Sequence, residues 1–245
     1  MMNSLVLVAA GKGTRIGGSI NKLLMEMHGH PLIWYTFKNI LDSKLLDEIV
    51  IVVKDTEKSQ FQQILSEFKH AIPIKWGQGG NTRVDSVING ISQISSKSEK
   101  LLIHDGARPL VGGDAIDQIL NKLGPAHPAV IFALPCIDTM KEINDEQVKK
   151  TVDRSKLYRA QTPQGVLTDL YKKALLQIKS LENITDDSSI FEAVKIPVTI
   201  IPGRENFFKV TTTEDWNRFS NMIYPSKIPA YIRVGEGYDI HRFEI

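Results

Sequence analysis

The apolar residues of the chain fall into short runs that are separated by longer stretches with helical spacing. The runs predict β-strands at 5–9, 48–53, 72–76, 100–104 and 129–133. The longer stretches predict helices at 32–41, 57–68, 83–94 and 115–123, each between two of those strands. The run at 49–53 is apolar throughout, which indicates a strand that is buried on both faces. The pattern therefore predicts an α/β fold, with a mostly parallel sheet and helices on both of its faces.

This alternation stops between Pro135 and Tyr158. Two short polar segments, 138–141 and 148–153, flank Asn144-Asp145-Glu146 in this region, which predicts a projecting β-arm over about 135–158. Because two isolated strands are only marginally stable in water, we expect the arm to lie against a partner surface.

The remainder of the chain returns to regular elements. A helix at 167–181, a strand at 198–201 and a last helix at 214–223, capped by Thr213, are predicted. The prolines at 225 and 229 indicate a linker out of the domain. We therefore expect one main domain at 1–224 and a linker at 225–232.

Composition and charge narrow the class of protein. With 245 residues, 42% of them hydrophobic and 24% charged, the chain can form a sizeable core. Its 30 basic and 28 acidic residues give a net charge of +2, so we expect no nucleic-acid partner. The longest apolar stretch, 129–137, is interrupted by Pro135 and is shorter than the roughly 20 residues of a membrane span. A single cysteine, Cys136, and the lack of a basic leader lead us to expect a cytoplasmic protein without membrane association.

The first predicted strand leads into a turn of small and basic residues. Its sequence is Ala9-Ala10-Gly11-Lys12-Gly13-Thr14-Arg15. Backbone N–H groups at the carboxyl edge of such a sheet bind phosphates. The turn is not a dinucleotide-binding fingerprint, since Ile16 stands where the third glycine belongs, and no Gly-Lys-Ser/Thr follows to make a P-loop. A plain tight turn is the alternative interpretation, but Lys22 nearby favours a phosphate site.

Several later segments carry polar residues of the same kind. They are Gly79-Gly80-Asn81-Thr82-Arg83-Val84-Asp85-Ser86-Val87, His104-Asp105-Gly106-Ala107-Arg108-Pro109, Asp138-Thr139-Met140-Lys141, Thr151-Val152-Asp153-Arg154, Gln161-Thr162-Pro163-Gln164, Ile184-Thr185-Asp186-Asp187 and Lys209-Val210-Thr211. In this order, with the first motif and Lys22-Leu23, they resemble the 2-C-methyl-D-erythritol 4-phosphate cytidylyltransferase family over about residues 3–224. The resemblance implies a Rossmann-like nucleotidyltransferase fold.

The resemblance also implies a reaction. Members of that family transfer CMP from CTP to 2-C-methyl-D-erythritol 4-phosphate, giving 4-diphosphocytidyl-2-C-methyl-D-erythritol and pyrophosphate on the non-mevalonate route to isoprenoid precursors. A ribitol 5-phosphate cytidylyltransferase is the alternative of the same class, and the two arm motifs favour methylerythritol over it. A non-catalytic nucleotide-binding module is the alternative of another class, against which the basic motif residues and Asp105 argue.

Joining two polyanions requires cations that neutralise their repulsion and the charge of the transition state. Arg15, Lys22 and Lys209 suit this role, and the resemblance implies that they are the catalytic residues. As isolated cations they would more often be solvated surface residues. Mg²⁺ is expected to bind mainly through the phosphates of CTP.

The resemblance assigns two further sets of residues. The nucleotide-binding set is Ala9, Ala10, Gly11, Gly13, Gly79, Gly80, Asn81, Ser86, Asp105 and Gly106. A glycine loop suits cytosine because backbone groups can contact the ring without side-chain bulk, although Asn81 departs from the acidic residue of many members. The set for the second substrate is Asp105, Arg108, Thr139, Arg154 and Thr185. Thr139 and Arg154 lie on the arm, which in this family crosses to a second subunit, so a homodimer is implied.

Simpler interpretations stand beside several of these assignments. Asp105 could cap a turn, and Asp186 and Asp187 could cap a short helix after them. The arm could be a solvated hairpin without a function. His104 has no metal-ligating companion at a useful spacing, so we interpret it as a buried structural imidazole.

The last residues, 233–245, resemble the opening strand of another family, the 2-C-methyl-D-erythritol 2,4-cyclodiphosphate synthases. In that family the residues matching Asp239 and His241 bind a divalent metal together with a third ligand further along the chain. We therefore expect the stub of a second domain from a bifunctional protein. Zn²⁺ or a similar ion is expected only where that domain is complete.

Overall fold

The structure, a computed structural model, describes residues 2–11, 21–178, 180–181 and 184–224. Its first half alternates strands and helices: β1 (Met2–Val8), β2 (Glu26–Met27), β3 (His30–Pro31), α1 (Leu32–Ile40), β4 (Glu48–Val53), α2 (Lys58–Leu65), β5 (Ile74–Gln78), α3 (Arg83–Ile91), β6 (Ser98–Asp105), α4 (Gly113–Lys122) and β7 (Ala129–Pro135). Its second half holds β8 (Met140–Asn144), β9 (Gln147–Val152), β10 (Tyr158–Leu167), α5 (Thr168–Gln177), α6 (Ser188–Ala193), β11 (Val198–Pro202) and α7 (Thr213–Ile223).

Seven strands form one sheet in the order β11-β7-β10-β6-β1-β4-β5. Neighbouring strands are parallel except around β10, which runs antiparallel to both β6 and β7. The predicted α/β class and mostly parallel sheet are confirmed. The sequence pattern missed β10, whose ten residues include buried glutamines instead of an apolar run.

The side chains of the central strands alternate between two cores, one on each face of the sheet. On β1, Leu5 and Leu7 belong to the core that α1, α2, α4 and α7 cover, and Val6 belongs to the core under α3, α5 and α6. All six residues of β4 are buried, which explains why its last five, 49–53, are apolar without alternation. The expectation of helices on both faces is therefore confirmed.

The cap of α7 differs from the prediction. Thr212, not Thr213, precedes the helix, and its hydroxyl accepts a hydrogen bond from the Asp215 amide at 3.2 Å. The Asp215 carboxylate accepts one in return from the Thr212 amide at 3.0 Å. This reciprocal pair is a capping box, which satisfies two backbone donors at the start of the helix.

The predicted arm is present as a two-stranded antiparallel ribbon of β8 and β9. Asp145 and Glu146 form its turn with positive φ angles of 45° and 66°, as a two-residue hairpin requires. Ile143 and Val148 on the ribbon, and Ile137 shortly before it, are more than half exposed. Exposed apolar side chains on a thin ribbon agree with a partner surface, and that partner stays a prediction.

No helix within the described residues combines the length and apolar character needed to cross a bilayer.

Candidate active site

A cleft of about 560 Å³ opens at the carboxyl ends of β1, β5 and β6. Ligands bind at this edge in open α/β sheets because loops from several strands meet there. The cleft is lined by Val8, Ala10, Gly11, Asn21, Lys22, Leu23, Lys54, Gly80, Asn81, Thr82, Arg83, Ser86, Asp105, Gly106, Ala107, Lys209 and Thr211. Nine residues that the sequence proposed for catalysis or nucleotide binding are therefore brought together: Ala10, Gly11, Lys22, Gly80, Asn81, Ser86, Asp105, Gly106 and Lys209. Ala9 and Gly79 lie directly beside this set, whereas Gly13 and Arg15 lie outside the described residues.

The glycine loop after β5 packs closely against its neighbours. The Gly79 amide donates to the Val53 carbonyl at 2.8 Å, and a Cβ on Gly79 would lie 2.4 Å from the Cβ of Ala10. The Gly80 amide donates to the Ser86 hydroxyl at 3.0 Å, and that hydroxyl donates to the Thr82 carbonyl. Both glycine amides are thus used within the protein, so the carbonyl oxygens are the backbone groups of these two glycines that remain for a ligand.

Asp105, the last residue of β6, lies among three cations. Its Oδ2 is 3.0 Å from Lys209 Nζ and 3.7 Å from Arg108 Nε, and its Oδ1 is 3.2 Å from Arg83 Nε. Burial alone would raise the pKa of Asp105, but the positive charges of Lys209, Arg83 and Arg108 hold that pKa well below its usual range. The carboxylate is therefore ionised and fixed by charge-assisted contacts. A simple turn-capping role does not account for these contacts.

Lys22 reaches the same side of the cleft from a different segment. Its Nζ donates to the carbonyl of Val210, the residue after Lys209, at 2.7 Å. Lys22 begins a short 3-10 turn at Lys22–Leu24, and the Asn21 side chain caps that turn by accepting from the Leu23 amide. Lys22 is thereby held against the residue next to Lys209, the other lysine that the sequence proposed for catalysis.

Two cations to which the sequence analysis assigned no role, Lys54 and Arg83, also line the cleft. Lys54 follows β4 directly, and its Nζ lies 2.9 Å from the Glu57 carboxylate. The other Glu57 oxygen accepts from Asn21 Nδ2 at 2.8 Å, so this pair contacts the residue that caps the Lys22 turn. Arg83 begins α3 and binds Asp105. The position of Lys54 at the end of a buried strand was the signal that could have identified it.

Four residues proposed for the second substrate are not among those that line the cleft. Arg108 pairs with Asp105 and donates to the Phe207 carbonyl at 2.6 Å. Thr139, Arg154 and Thr185 are exposed, and the Arg154 guanidinium donates to the Ile137 carbonyl. Their roles stay predictions, and the separation of the two arm residues from the cleft of their own chain is what arm exchange requires.

The histidine and the acidic pair also have defined surroundings. His104 is fully buried, with Nδ1 3.0 Å from the Thr162 hydroxyl, and burial lowers its pKa to about 3. The neutral ring agrees with a structural role.

Asp186 caps α6 by accepting a hydrogen bond from the Ser189 amide at 3.0 Å. Asp187 makes no side-chain capping bond and pairs with Arg83 instead, at 2.7 Å.

The side chains of the cleft were considered as possible ligands of Mg²⁺. Within the described ranges no group of three or more His, Cys, Asp or Glu side chains could hold an ion. Both oxygens of Asp105 are already bound to cations. These residues do not form a protein-held Mg²⁺ site, and a metal bound through the phosphates of CTP stays a prediction. Asp239 and His241 lie outside the described residues.

Comparisons with known proteins cover most of the chain. The sequence model of the family described as IspD, 2-C-methyl-D-erythritol 4-phosphate cytidylyltransferase, matches residues 3–223. A 2-C-methyl-D-erythritol 4-phosphate cytidylyltransferase of Prochlorococcus marinus subsp. pastoris is 38% identical over 212 residues, which cover 86% of this chain and 94% of that protein. A bifunctional enzyme IspD/IspF of Rhizobium leguminosarum bv. trifolii is 35% identical over 98% of this chain, which spans 60% of that protein.

Solved structures give the same result. The crystal structure of the 4-diphosphocytidyl-2C-methyl-D-erythritol synthase of Anaerococcus prevotii superposes with a TM-score of 0.76 at 29% identity, covering 91% of this chain and 97% of that one. The bifunctional IspDF of Campylobacter jejuni superposes with a TM-score of 0.74 at 29% identity, covering 89% of this chain and 54% of that one. This chain belongs to the 2-C-methyl-D-erythritol 4-phosphate cytidylyltransferase family.

Proposed function

We propose that the cleft at the ends of β1, β5 and β6 is where this chain transfers CMP from CTP to 2-C-methyl-D-erythritol 4-phosphate. One observation carries the proposal: Lys22, Asp105 and Lys209 come from three distant segments and meet around this single cleft. Its volume of about 560 Å³ lies within the usual range for small-molecule sites.

The reaction joins two anions. A phosphate oxygen of methylerythritol phosphate attacks the α-phosphorus of CTP, the bond to the bridging oxygen breaks, and pyrophosphate leaves with the electron pair. The nucleophile needs no proton removed when it is ionised, so the task of the protein is to align the groups and stabilise negative charge. Lys22 and Lys209 supply the positive charge that does this. Their ammonium groups are held by the Val210 carbonyl and the Asp105 carboxylate, which reduces their reorganisation during the reaction.

The choice of cytosine is proposed to depend on the loop at Gly79, Gly80 and Asn81. The amides of both glycines already donate within the protein, so their carbonyl oxygens are the groups that can contact the base. A carbonyl oxygen of the loop can accept a hydrogen bond from the exocyclic amine of cytosine. Uracil has an oxygen in the place of that amine, and this oxygen cannot donate a hydrogen bond. This arrangement favours CTP over UTP without requiring the side chain of Asn81.

The second substrate is proposed to bind between two subunits of a homodimer. Thr139 and Arg154 are exposed on the arm and do not line the cleft of their own chain. Arginine suits a phosphate group because its planar guanidinium can donate two parallel hydrogen bonds. Arg108 and Thr185 would complete the site from the subunit that supplies the cleft. Mg²⁺ would enter with the phosphates of CTP.

A pyrophosphate-release assay tests the proposal with CTP or UTP as donor and with methylerythritol 4-phosphate or ribitol 5-phosphate as acceptor. We expect release with CTP and methylerythritol phosphate, and much less with either substitute. Faster release with ribitol 5-phosphate would favour the alternative cytidylyltransferase. CTP binding without any release would favour a non-catalytic module.

A further inference from the structure

Arg83 connects two carboxylates that come from distant segments of the chain. Its Nε lies 3.2 Å from Oδ1 of Asp105, and its second terminal nitrogen lies 2.7 Å from Oδ2 of Asp187. Asp187 is only 2% exposed and does not line the cleft. Its other oxygen accepts from the Tyr171 hydroxyl at 3.1 Å. A residue outside the cleft is therefore joined to the central carboxylate of the cleft by a single guanidinium.

Hydrogen bonds to β10 also fix the segment around Asp187 to the sheet. Oε1 of Gln164, on β10, accepts hydrogen bonds from the amides of Asp187 and Ser188, both at 3.0 Å. Nε2 of the same side chain donates to the Asp186 carboxylate at 2.8 Å. Thr185, the proposed contact for the second substrate, is two residues before Asp187. Arg83 thus ties the loop that carries Thr185 to Asp105.

We propose that Asp187 is a positioning residue that, through Arg83, sets the placement of the Asp105 carboxylate and its distance from the Thr185 loop. The proposal rests on the function proposed above for Asp105. Net stabilisation is a poor explanation for the pair, since a buried ion pair gains little after its desolvation cost. Without Asp187, the guanidinium would be left with Asp105 alone and would draw that carboxylate toward itself.

The guanidinium is suited to this task because it donates along two separate edges at once. A lysine ammonium at position 83 is a point charge and could not keep both carboxylates in the same geometry. Arg83→Lys should therefore behave like Asp187→Asn, although it preserves the charge.

A double-mutant cycle on kcat tests the proposal, using the pyrophosphate-release assay with CTP and methylerythritol phosphate. We expect Asp187→Asn to lower kcat at least tenfold in the wild-type chain, because small displacements of reacting groups are costly. In the Asp105→Asn background the same change should lower kcat less than about threefold, because residues acting through one another are non-additive. Arg83→Lys should give the same pattern, and it replaces Asp187→Asn in the cycle if that variant does not fold.

Tyr171→Phe is the matched control. It removes a hydrogen bond to the same buried carboxylate but keeps the link to Arg83, so it should lower the melting temperature while kcat stays within about threefold. Equal losses of kcat from Asp187→Asn in both backgrounds, or a loss as large from Tyr171→Phe, would overturn the proposal and leave the proposed function intact. Wild-type kcat for Asp105→Asn would refute the proposed role of Asp105, and the present proposal with it.

Discussion

The loop after β5 meets the loop after β1 at Gly79, and this contact gives a sharp steric prediction. A methyl group on Gly79 would lie 2.4 Å from the methyl of Ala10 and 3.4 Å from the Val53 carbonyl oxygen. Since two carbon atoms are best separated by about 3.5–4.0 Å, the loops would have to move apart by about 1 Å. Ala10 and Gly80 both line the cleft, so this movement would widen the cleft on the side proposed to bind the nucleotide.

We expect Gly79→Ala to lower kcat/KM for CTP by about 100-fold, the loss that a 1 Å misplacement can cause. Overpacking should also lower the free energy of unfolding by about 1–3 kcal/mol. The double variant Ala10→Gly/Gly79→Ala carries the methyl group on the other loop, which removes the overlap. It should recover at least about tenfold of the lost kcat/KM. Pyrophosphate release at varied CTP and urea unfolding measure the two effects.

Gly124→Ala is the matched control for this prediction, because a Cβ at Gly124 meets nothing within 4 Å. It should leave kcat/KM unchanged. Wild-type kcat/KM for Gly79→Ala would refute the steric reasoning, and so would a double variant that is no more active than the single one.

Two further predictions concern the site, and a third concerns the buried His104. Lys22→Ala and Lys209→Ala should each raise the barrier by on the order of 3 kcal/mol, seen as a lower kcat with a smaller change in CTP affinity; a raised KM alone would contradict the catalytic role. Mixed dimers of Lys22→Ala and Arg154→Ala chains should regain activity in an assay after co-assembly, because one of their two sites would be intact; verified mixed dimers without activity would assign Arg154 to the site of its own subunit. Burial lowers the pKa of His104 to about 3 from 6.5, so the unfolded chain binds a proton that the folded protein does not. The free energy of unfolding should therefore fall as pH drops below 6.5, and His104→Asn should flatten that dependence in urea titrations, whereas an unchanged slope would contradict it.

The elements that the sequence predicted best are those whose burial appears in their own composition. The strand predicted at 48–53 is β4 to the residue, because all six of its side chains are buried between two cores. β10 was missed because Gln161 and Gln164 are buried and polar. Their partners, Arg204 and Asp187, lie 43 and 23 residues further along the chain, so periodicity contains no sign of them.

The candidate site divides in the same way. Asp105 could be predicted because it ends a strand, and Gly80 because it follows one, since the edge of a sheet gathers such residues. Arg83 could not, since a basic residue at the start of a helix usually faces solvent. Its partners, Asp105 and Asp187, are 22 and 104 residues away, and only the fold brings them together.

Positive side chains are concentrated in the cleft, and the net charge of +2 for the whole chain does not reveal this. Among the described residues that line it, four are cations, Lys22, Lys54, Arg83 and Lys209, and one is an anion, Asp105. The carboxylates of Glu57 and Asp187, which pair with Lys54 and Arg83, do not line the cleft. Acidic groups outside the cleft thus hold Lys54 and Arg83, whereas the Val210 carbonyl holds Lys22 and Asp105 holds Lys209. Fixed in this way before any ligand binds, these cations can stabilise the charge of a transition state without first reorganising.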